Sequence, residues 1–171
     1  SVVRYGNVMG SRGSVIPFFC DLKSTGELPI TDPKMTRFMI SLDEAVELVW
    51  HAFEDMVGGE IYVKKIPSMN IVELAKAVAP DARLKEVGIR PGEKMHEQMI
   101  GIEDSPSTYE YDGYYKILPV INDWADDEGR IKGGVKVTAD FTYDSASNDQ
   151  WMSQSSLQAW LSENQDKLGK L

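Results

Sequence analysis

Apolar residues Leu42, Ala45, Val46, Val49, Phe53 and Met56 recur at helical spacing, and Asp43, Glu44, Glu47, Glu54 and Asp55 fall on other faces. This pattern predicts an amphipathic helix packed on a sheet, opened by Ser41 and Glu44 as a capping box and closed by Gly58-Gly59. A second stripe, Ile71, Leu74, Ala75 and Val78, starts near Ser68 or Asn70 and stops at Pro80. Short apolar or β-branched runs supply strands at Ser1 to Tyr5, Leu28 to Thr31, Arg37 to Ile40, Glu60 to Val63 and Leu84 to Ile89. Ser14 is placed to cap a helix running to about Thr25, with Pro17 tolerated in its first turn and Gly26 ending it. Helices and strands alternate, which indicates an α/β architecture.

From Gly101 the texture changes. Aromatic and branched residues between Tyr109 and Val120 predict two short strands with Asp112-Gly113 as the hairpin turn. The acidic, glycine-containing stretch from Asp123 to Gly134 reads as a surface loop, and Ser153 as the cap of a last helix carrying Leu157, Trp160 and Leu161.

The segment Arg4-Tyr5-Gly6-Asn7-Val8-Met9-Gly10-Ser11-Arg12-Gly13 reads as the end of a strand, a glycine-rich loop and the approach to a helix. A loop there presents backbone N–H groups at a helix N-terminus, where phosphates bind. Its spacing, G-x-x-x-G-x-x-G, is not the dinucleotide fingerprint G-x-G-x-x-G, and Glu27 sits in a turn, where it closes no strand. A glycine turn accommodating positive φ is an equal reading.

Composition narrows the classes. The chain has 171 residues, 42% of them hydrophobic, enough for one sizeable core. No apolar run approaches the roughly 18 residues of a membrane span. The single cysteine, Cys20, lies in an apolar helical run and is expected to be a small buried hydrophobe, consistent with a reducing cytoplasm. A net charge of −9 argues against a nucleic-acid surface. The charge is uneven: residues 1–102 carry 12 Lys+Arg against 14 Asp+Glu, and residues 103–171 carry 6 against 13. Arg4, Arg12, Arg37 and Arg90, the arginines suited to an anionic ligand, all lie in the first part. The chain opens on a strand without an initiator Met, so a segment of a longer protein is expected.

Several polar residues carry two readings each. Arg90 and Glu93 flank a Pro-Gly turn, either as a clamp for a pyrophosphate and a ribose or as a solvated ion pair. Arg37, among Met35, Thr36, Phe38 and Met39, either binds an anion or forms a structural salt bridge. Asn7 either caps the loop or meets a ligand hydroxyl. His51 and His96 have no second His or Cys at ligand spacing, so no metal site is expected and structural or solvated histidines are. There is no G-x-S-x-G, and Ser11 and Ser14 have no visible base.

Read in order, Arg4-Tyr5-Gly6-Asn7-Val8 through Pro17-Phe18-Phe19, Pro29-Ile30-Thr31-Asp32, Met35-Thr36-Arg37-Phe38, Gly58-Gly59-Glu60-Ile61, Ile66-Pro67-Ser68-Met69 and Gly88-Ile89-Arg90-Pro91-Gly92-Glu93-Lys94-Met95-His96-Glu97 form a longer pattern. It closely resembles the second half of the inverting UDP-N-acetylglucosamine 4,6-dehydratases, extended short-chain dehydrogenase/reductases of pseudaminic acid and related capsule or flagellin sugar synthesis. The resemblance spans the chain, including Asn148-Asp149-Gln150-Trp151, and is looser from Gly101 onward.

The resemblance implies an α/β fold: the C-terminal part of an extended short-chain dehydrogenase Rossmann-type sheet plus a small α+β substrate-binding lobe. Residues 1–102 would hold the end of the Rossmann-type domain interleaved with the lobe, and residues 103–171 an α+β extension of the same lobe. Family enzymes oxidise the sugar at C4 with NADP, eliminate water across C5 and C6, and return the hydride to C6 with inversion at C5. Their Tyr-x-x-x-Lys pair and glycine motif are not in this sequence, where no Tyr has a Lys four residues on. The expectation is therefore a C-terminal half without catalytic residues, its cofactor-binding half absent. Asn7, Arg37, Arg90 and Glu93 are expected on the UDP-sugar, and Val8, Met9, Gly10, Ser11 and Arg12 at the edge of NADP. A cytoplasmic homo-oligomer without membrane or nucleic-acid partners completes that picture. A UDP-sugar epimerase on the same scaffold and a non-catalytic binding module are the alternatives.

Overall fold

The computed structural model describes residues 1–165 and 168. The opening run forms β1 (Val2–Arg4), and Asn7–Val8 forms a short strand, β2, within what reads as loop. Gly10 and Gly13, both at φ +75, occupy the left-handed region open to glycine. They lead into α1 (Val15–Leu22), and a 3-10 turn over Lys23–Thr25 ends at Gly26, φ +74. Then come β3 (Glu27–Ile30), β4 (Thr36–Ile40) and α2 (Leu42–Asp55). At the start of α2 the Ser41 hydroxyl accepts from the Glu44 N–H, and the Glu44 carboxylate accepts from the Ser41 N–H, so the expected capping box is present.

The chain continues through β5 (Ile61–Lys64), β6 (Ser68–Asn70), α3 (Ile71–Val78), β7 (Arg83–Glu86) and β8 (Gln98–Ile100). The expected hairpin is β9 (Thr108–Tyr111) and β10 (Tyr114–Ile117), turning at Gly113, φ +77. Last are α4 (Glu128–Ile131), β11 (Val135–Lys136), β12 (Tyr143–Asp144) and α5 (Gln154–Glu163), which Ser153 caps.

The largest sheet runs β1-β5-β10-β9-β11. β1 and β5 are parallel, Val3 opposite Tyr62, and α2 packs against both strands. The hairpin joins them antiparallel, Tyr115 opposite Val63. A second sheet, β2-β4-β6, holds Asn7 opposite Met39 in parallel and Arg37 opposite Met69 in antiparallel register. β3 and β7 form a parallel pair, and β8 and β12 an antiparallel one.

Beside a small cluster of Leu48, Ala52 and Tyr62 under α2, two larger apolar centres follow from this layout. One lies between α1, α3 and α5, around Ile16, Phe19, Leu28, Met69, Leu74 and Leu157, with Cys20 half-buried at its margin. The other joins Phe38 and Ile40 of β4 to Val63, Tyr115, Ile117 and Tyr143.

The face that α2 buries overlaps the one its periodicity selects only at Ala45 and, half-buried, Val49. Ala45, Leu48 and Ala52 face the sheet, whereas Leu42, Val46, Phe53 and Met56 are exposed and Trp50 is 64% exposed. The helix is apolar over two arcs, and periodicity alone does not say which is packed. Two alanines on the packed arc let the helix approach the sheet closely. At its end, Asp55 accepts from the Tyr62 hydroxyl at 2.7 Å and from Lys116 Nζ at 2.7 Å, fastening α2 to β5 and β10. Burial raises the Asp55 pKa, but these hydrogen bonds, with one from Lys132, outweigh it and hold the carboxyl far below its ordinary range.

The acidic stretch from Asp123 to Gly134 is also more ordered than its composition suggests. A 3-10 segment, Ile121–Asp126, leads into it, and it contains α4, where the Asp127 side chain accepts from Gly129 N–H. Arg130 of α4 is buried and donates to the Gly58 carbonyl at 2.5 Å, anchoring the segment to the turn before β5.

Candidate functional site

Segments far apart in sequence meet at one cavity of about 470 Å³, whose lining includes Asn7, Gly13, Thr31, Arg37, Arg90 and Glu93. Pairing explains the convergence. β2 lies beside β4, which brings Asn7 to the sheet that carries Arg37. β3 and β7 leave their ladder together: Val87 N–H donates to Ile30 O at 2.8 Å and Gly88 N–H to Thr31 O at 3.1 Å. The turn at Arg90-Pro91-Gly92-Glu93 is thereby delivered beside Thr31. Glu93 accepts from the Thr31 hydroxyl at 3.2 Å and from the Arg90 N–H at 3.2 Å. Phe18, Phe19, Met35 and Ile71 give the cavity an apolar wall, and Gly13 and Val15 bring the start of α1 to it.

The two arginines are held differently. Arg37 is largely buried: Nη1 donates to the carbonyls of Thr36 at 2.8 Å and Met95 at 3.1 Å, Nη2 lies 3.8 Å from Glu93, and Nε 3.6 Å from Glu97. The structural ion pairing read as one alternative is thus present, at a residue that also lines the cavity. Arg90 is exposed, and its guanidinium has no protein partner among the described residues. A carboxylate accepts about four hydrogen bonds, so Glu93 retains capacity for a ligand hydroxyl.

Val8 to Arg12 sit elsewhere. Met9 is buried in the core, Val8 pairs with Ile40, and a Cβ on Gly10 would come within 3.0 Å of the Trp160 ring. Of the five, Arg12 alone is exposed, with Ser11 half-covered beside it, and none lines the cavity that Asn7 and Gly13 share.

His51 packs between the rings of Tyr62 and Tyr114, at 5.9 and 4.5 Å. His96 has Nδ1 2.8 Å from the Thr36 hydroxyl. Among the described residues no group of three or more His, Cys, Asp or Glu is arranged to hold a metal, and no helix is long and apolar enough to cross a membrane.

Sequence reasoning overlooked Thr31 and Asp21 on the cavity wall and Ser145 beneath Thr36. Thr31 lies in the quoted Pro29 to Asp32 motif, so a signal for it existed. Ser145 is 109 positions from Thr36, and nothing local to either residue announces their contact.

Comparison with known proteins places this geometry in context. A family model described as polysaccharide biosynthesis protein matches residues 1–119. A UDP-N-acetylglucosamine 4,6-dehydratase (inverting) from Campylobacter jejuni subsp. jejuni strain 81-176 is 52% identical over 165 residues, 92% of this chain and 49% of the relative. A UDP-glucose 4-epimerase from Rickettsia akari is 46% identical over 121 residues, 68% of this chain and 36% of the relative. In structure, the chain is similar to Pen from Bacillus thuringiensis, with a TM-score of 0.79 and 30% identity over 97% of this chain and 49% of that one. The chain spans about half the length of the curated dehydratase relatives it matches. The fold is α/β and corresponds to part of an extended short-chain dehydrogenase of the Rossmann type. With the family model matching residues 1–119 of 171, the chain belongs to the polysaccharide biosynthesis protein family.

Proposed function

We propose that this chain is the substrate-binding half of an NADP-dependent UDP-N-acetylglucosamine 4,6-dehydratase, working in the cytoplasm as a homo-oligomer in cell-surface polysaccharide or flagellin sugar synthesis. The observation that carries the reading is the shared cavity of Asn7, Arg37, Arg90 and Glu93. Its size falls within the roughly 300–1,000 Å³ of small-molecule sites. Arg90, unpaired and exposed, neutralises the diphosphate. Arg37, pinned on two carbonyls, presents a fixed cationic edge beside it. Glu93 accepts from a ribose hydroxyl, and Asn7 orients the sugar-bearing end. NADP would supply the hydride chemistry and be held mainly by a separate cofactor-binding half, with Val8 to Arg12 at its edge; the main contribution of this chain is to bind and orient the nucleotide sugar.

An epimerase on the same scaffold is the alternative in kind, since relatives of that name match 68% of the chain. The dehydratase match extends over 92% and takes in the C-terminal region as well. That extent favours the dehydratase.

Calorimetric titration of this chain with UDP tests the binding role. Saturable binding is expected, weakened in Arg90→Ala by roughly 10- to 150-fold, the equivalent of removing a charge-assisted hydrogen bond of about 1.5–3 kcal/mol. The same chain mixed with UDP-N-acetylglucosamine and NADP should form no 4-keto sugar. Normal UDP affinity in Arg90→Ala, or turnover above a protein-free control, would contradict the assignment.

A further inference from the structure

Ser145, fully buried just after β12, lies outside the region matched by the family model and yet meets Thr36, the neighbour of the cavity-lining Arg37. Its backbone N–H donates to Glu97 O at 2.8 Å, and its hydroxyl accepts from Glu97 N–H at 2.9 Å. The same hydroxyl is 2.7 Å from Thr36 Oγ1 and 3.2 Å from Thr36 O. Thr36 Oγ1 in turn meets His96 Nδ1 at 2.8 Å, and Thr36 N–H donates to Met95 O at 3.2 Å. The two carbonyls that hold Arg37 Nη1, those of Thr36 and Met95, thus belong to the two segments that Ser145 and His96 tie together.

We propose that Ser145 is a positioning residue for the nucleotide-sugar site, acting through Thr36 and the Met95–Glu97 backbone to set the guanidinium of Arg37. It reaches no ligand itself. The idea rests on the cavity being a nucleotide-sugar site. It also gives His96 a function that metal binding and catalysis leave open, as the outer end of the same hydroxyl chain. The physical ground is that Arg37 is cheap to misplace. A guanidinium recognises an oxyanion through fixed, directional N–H groups. Its two neighbouring carboxylates, Glu93 and Glu97, stand at 3.8 and 3.6 Å, beyond close hydrogen-bond contact, and leave the carbonyls to define its orientation. Loosening Thr36 O and Met95 O frees the guanidinium to collapse onto those carboxylates.

The test measures UDP affinity by calorimetry and the Arg37 Nε–H resonance by NMR, in the wild type and in Arg37→Ala, Ser145→Ala, Thr36→Val and Thr36→Ser. Ser145→Ala and Thr36→Val are expected to weaken UDP by about fivefold to tenfold. They should also broaden or shift the Arg37 resonance in the ligand-free protein. Thr36→Ser, which keeps the hydroxyl, restores both readouts. A loss of stability alone would not reproduce that pattern, because the resonance is read in folded protein. Should Ser145→Ala fail to fold, the Thr36 pair decides. If Arg37→Ala weakens UDP while Ser145→Ala and Thr36→Val bind as the wild type does, the positioning role is overturned and the site assignment stands. If the wild type does not bind UDP, both fall.

Discussion

Arg130 in α4 and Glu60, the residue before β5, meet as a buried ion pair, Nη1 2.7 Å from Oε1 and 70 positions apart in sequence. Glu60 is 1% exposed and also accepts from the backbone N–H groups of Val57 and Gly58 and from the Ser1 hydroxyl. One carboxylate therefore gathers the chain start, the Gly58-Gly59 turn and the C-terminal segment.

Removing the cation leaves that carboxylate buried without a counter-charge. Arg130→Ala also removes the donor to Gly58 O and the guanidinium stacked 4.1 Å over Trp124. A loss of about 3–5 kcal/mol is expected, the usual consequence of breaking one side of a buried pair. Urea denaturation of the variant and wild type reads it directly, and a difference below about 1 kcal/mol would contradict the pair's role.

The same carboxylate sets an acid limit. Burial alone raises the Glu60 pKa, but hydrogen bonds from Ser1 and from the backbone of Glu60, Gly58 and Val57 outweigh it and hold the value at about 2, below the ordinary 4.5. A depressed carboxyl pKa gives stability that is fully present above the unfolded value. That stability, roughly 3 kcal/mol, drains as pH falls from 4.5 towards 2. Asp55, depressed in the same direction, adds to it. Urea midpoints measured at several pH values should fall steeply in this window for the wild type and less steeply for Glu60→Gln. Parallel pH profiles for the two proteins would count against the assignment.

Two serines placed as helix caps by their sequence positions separate in the structure. Ser41 Oγ accepts from Glu44 N–H at 3.2 Å, whereas Ser14 makes no cap bond and its buried hydroxyl has no partner among the described residues. Ser41→Ala should cost about 1 kcal/mol. Ser14→Ala should be neutral or slightly stabilising in ligand-free protein, because it removes an unsatisfied polar atom. Equal losses of melting temperature for the two variants would show that Ser14 caps α1 after all.

What was legible in the sequence was what local physics decides. The capping box at Ser41, the left-handed stop at Gly26, the Asp112-Gly113 hairpin and the buried stripe of α3 all depend on residues within a few positions of one another. The segments bearing Asn7, Arg37, Arg90 and Glu93 were legible as a motif series, and the parallel β3-β7 pairing supplies part of the physical reason they converge. What stayed hidden depends on partners at long range. Arg130 sits in an acidic stretch whose composition reads as solvated loop, and its partner Glu60 reads simply as the first residue of a strand. The hydroxyl chain from Ser145 to His96 has no local pattern. For α2 the period was right and the face only partly so, because a helix apolar over two arcs needs the sheet to choose between them.

The arc that the sheet does not choose carries the last prediction. Leu42, Val46, Trp50 and Phe53 stand exposed along α2, and Val57 just beyond its end, at spacings of three and four residues, with the Trp50 and Phe53 rings 6.1 Å apart. Among the described residues β1, on which α2 packs, ends its sheet and is paired on one side only, with β5. An exposed apolar stripe and an open strand edge are both surfaces on which chains associate. This chain should therefore self-associate as its concentration rises. Burying a large side chain such as Phe is worth roughly 1.5–3 kcal/mol, so removing either ring should weaken association by about tenfold or more. The double variant Trp50→Lys, Phe53→Lys should sediment closer to a monomer at a given concentration. Its melting temperature when dilute should hardly change, because neither ring supports the core. A drop in dilute stability would mean that the two rings pack within one chain, and unchanged sedimentation would locate association on the β1 edge or elsewhere.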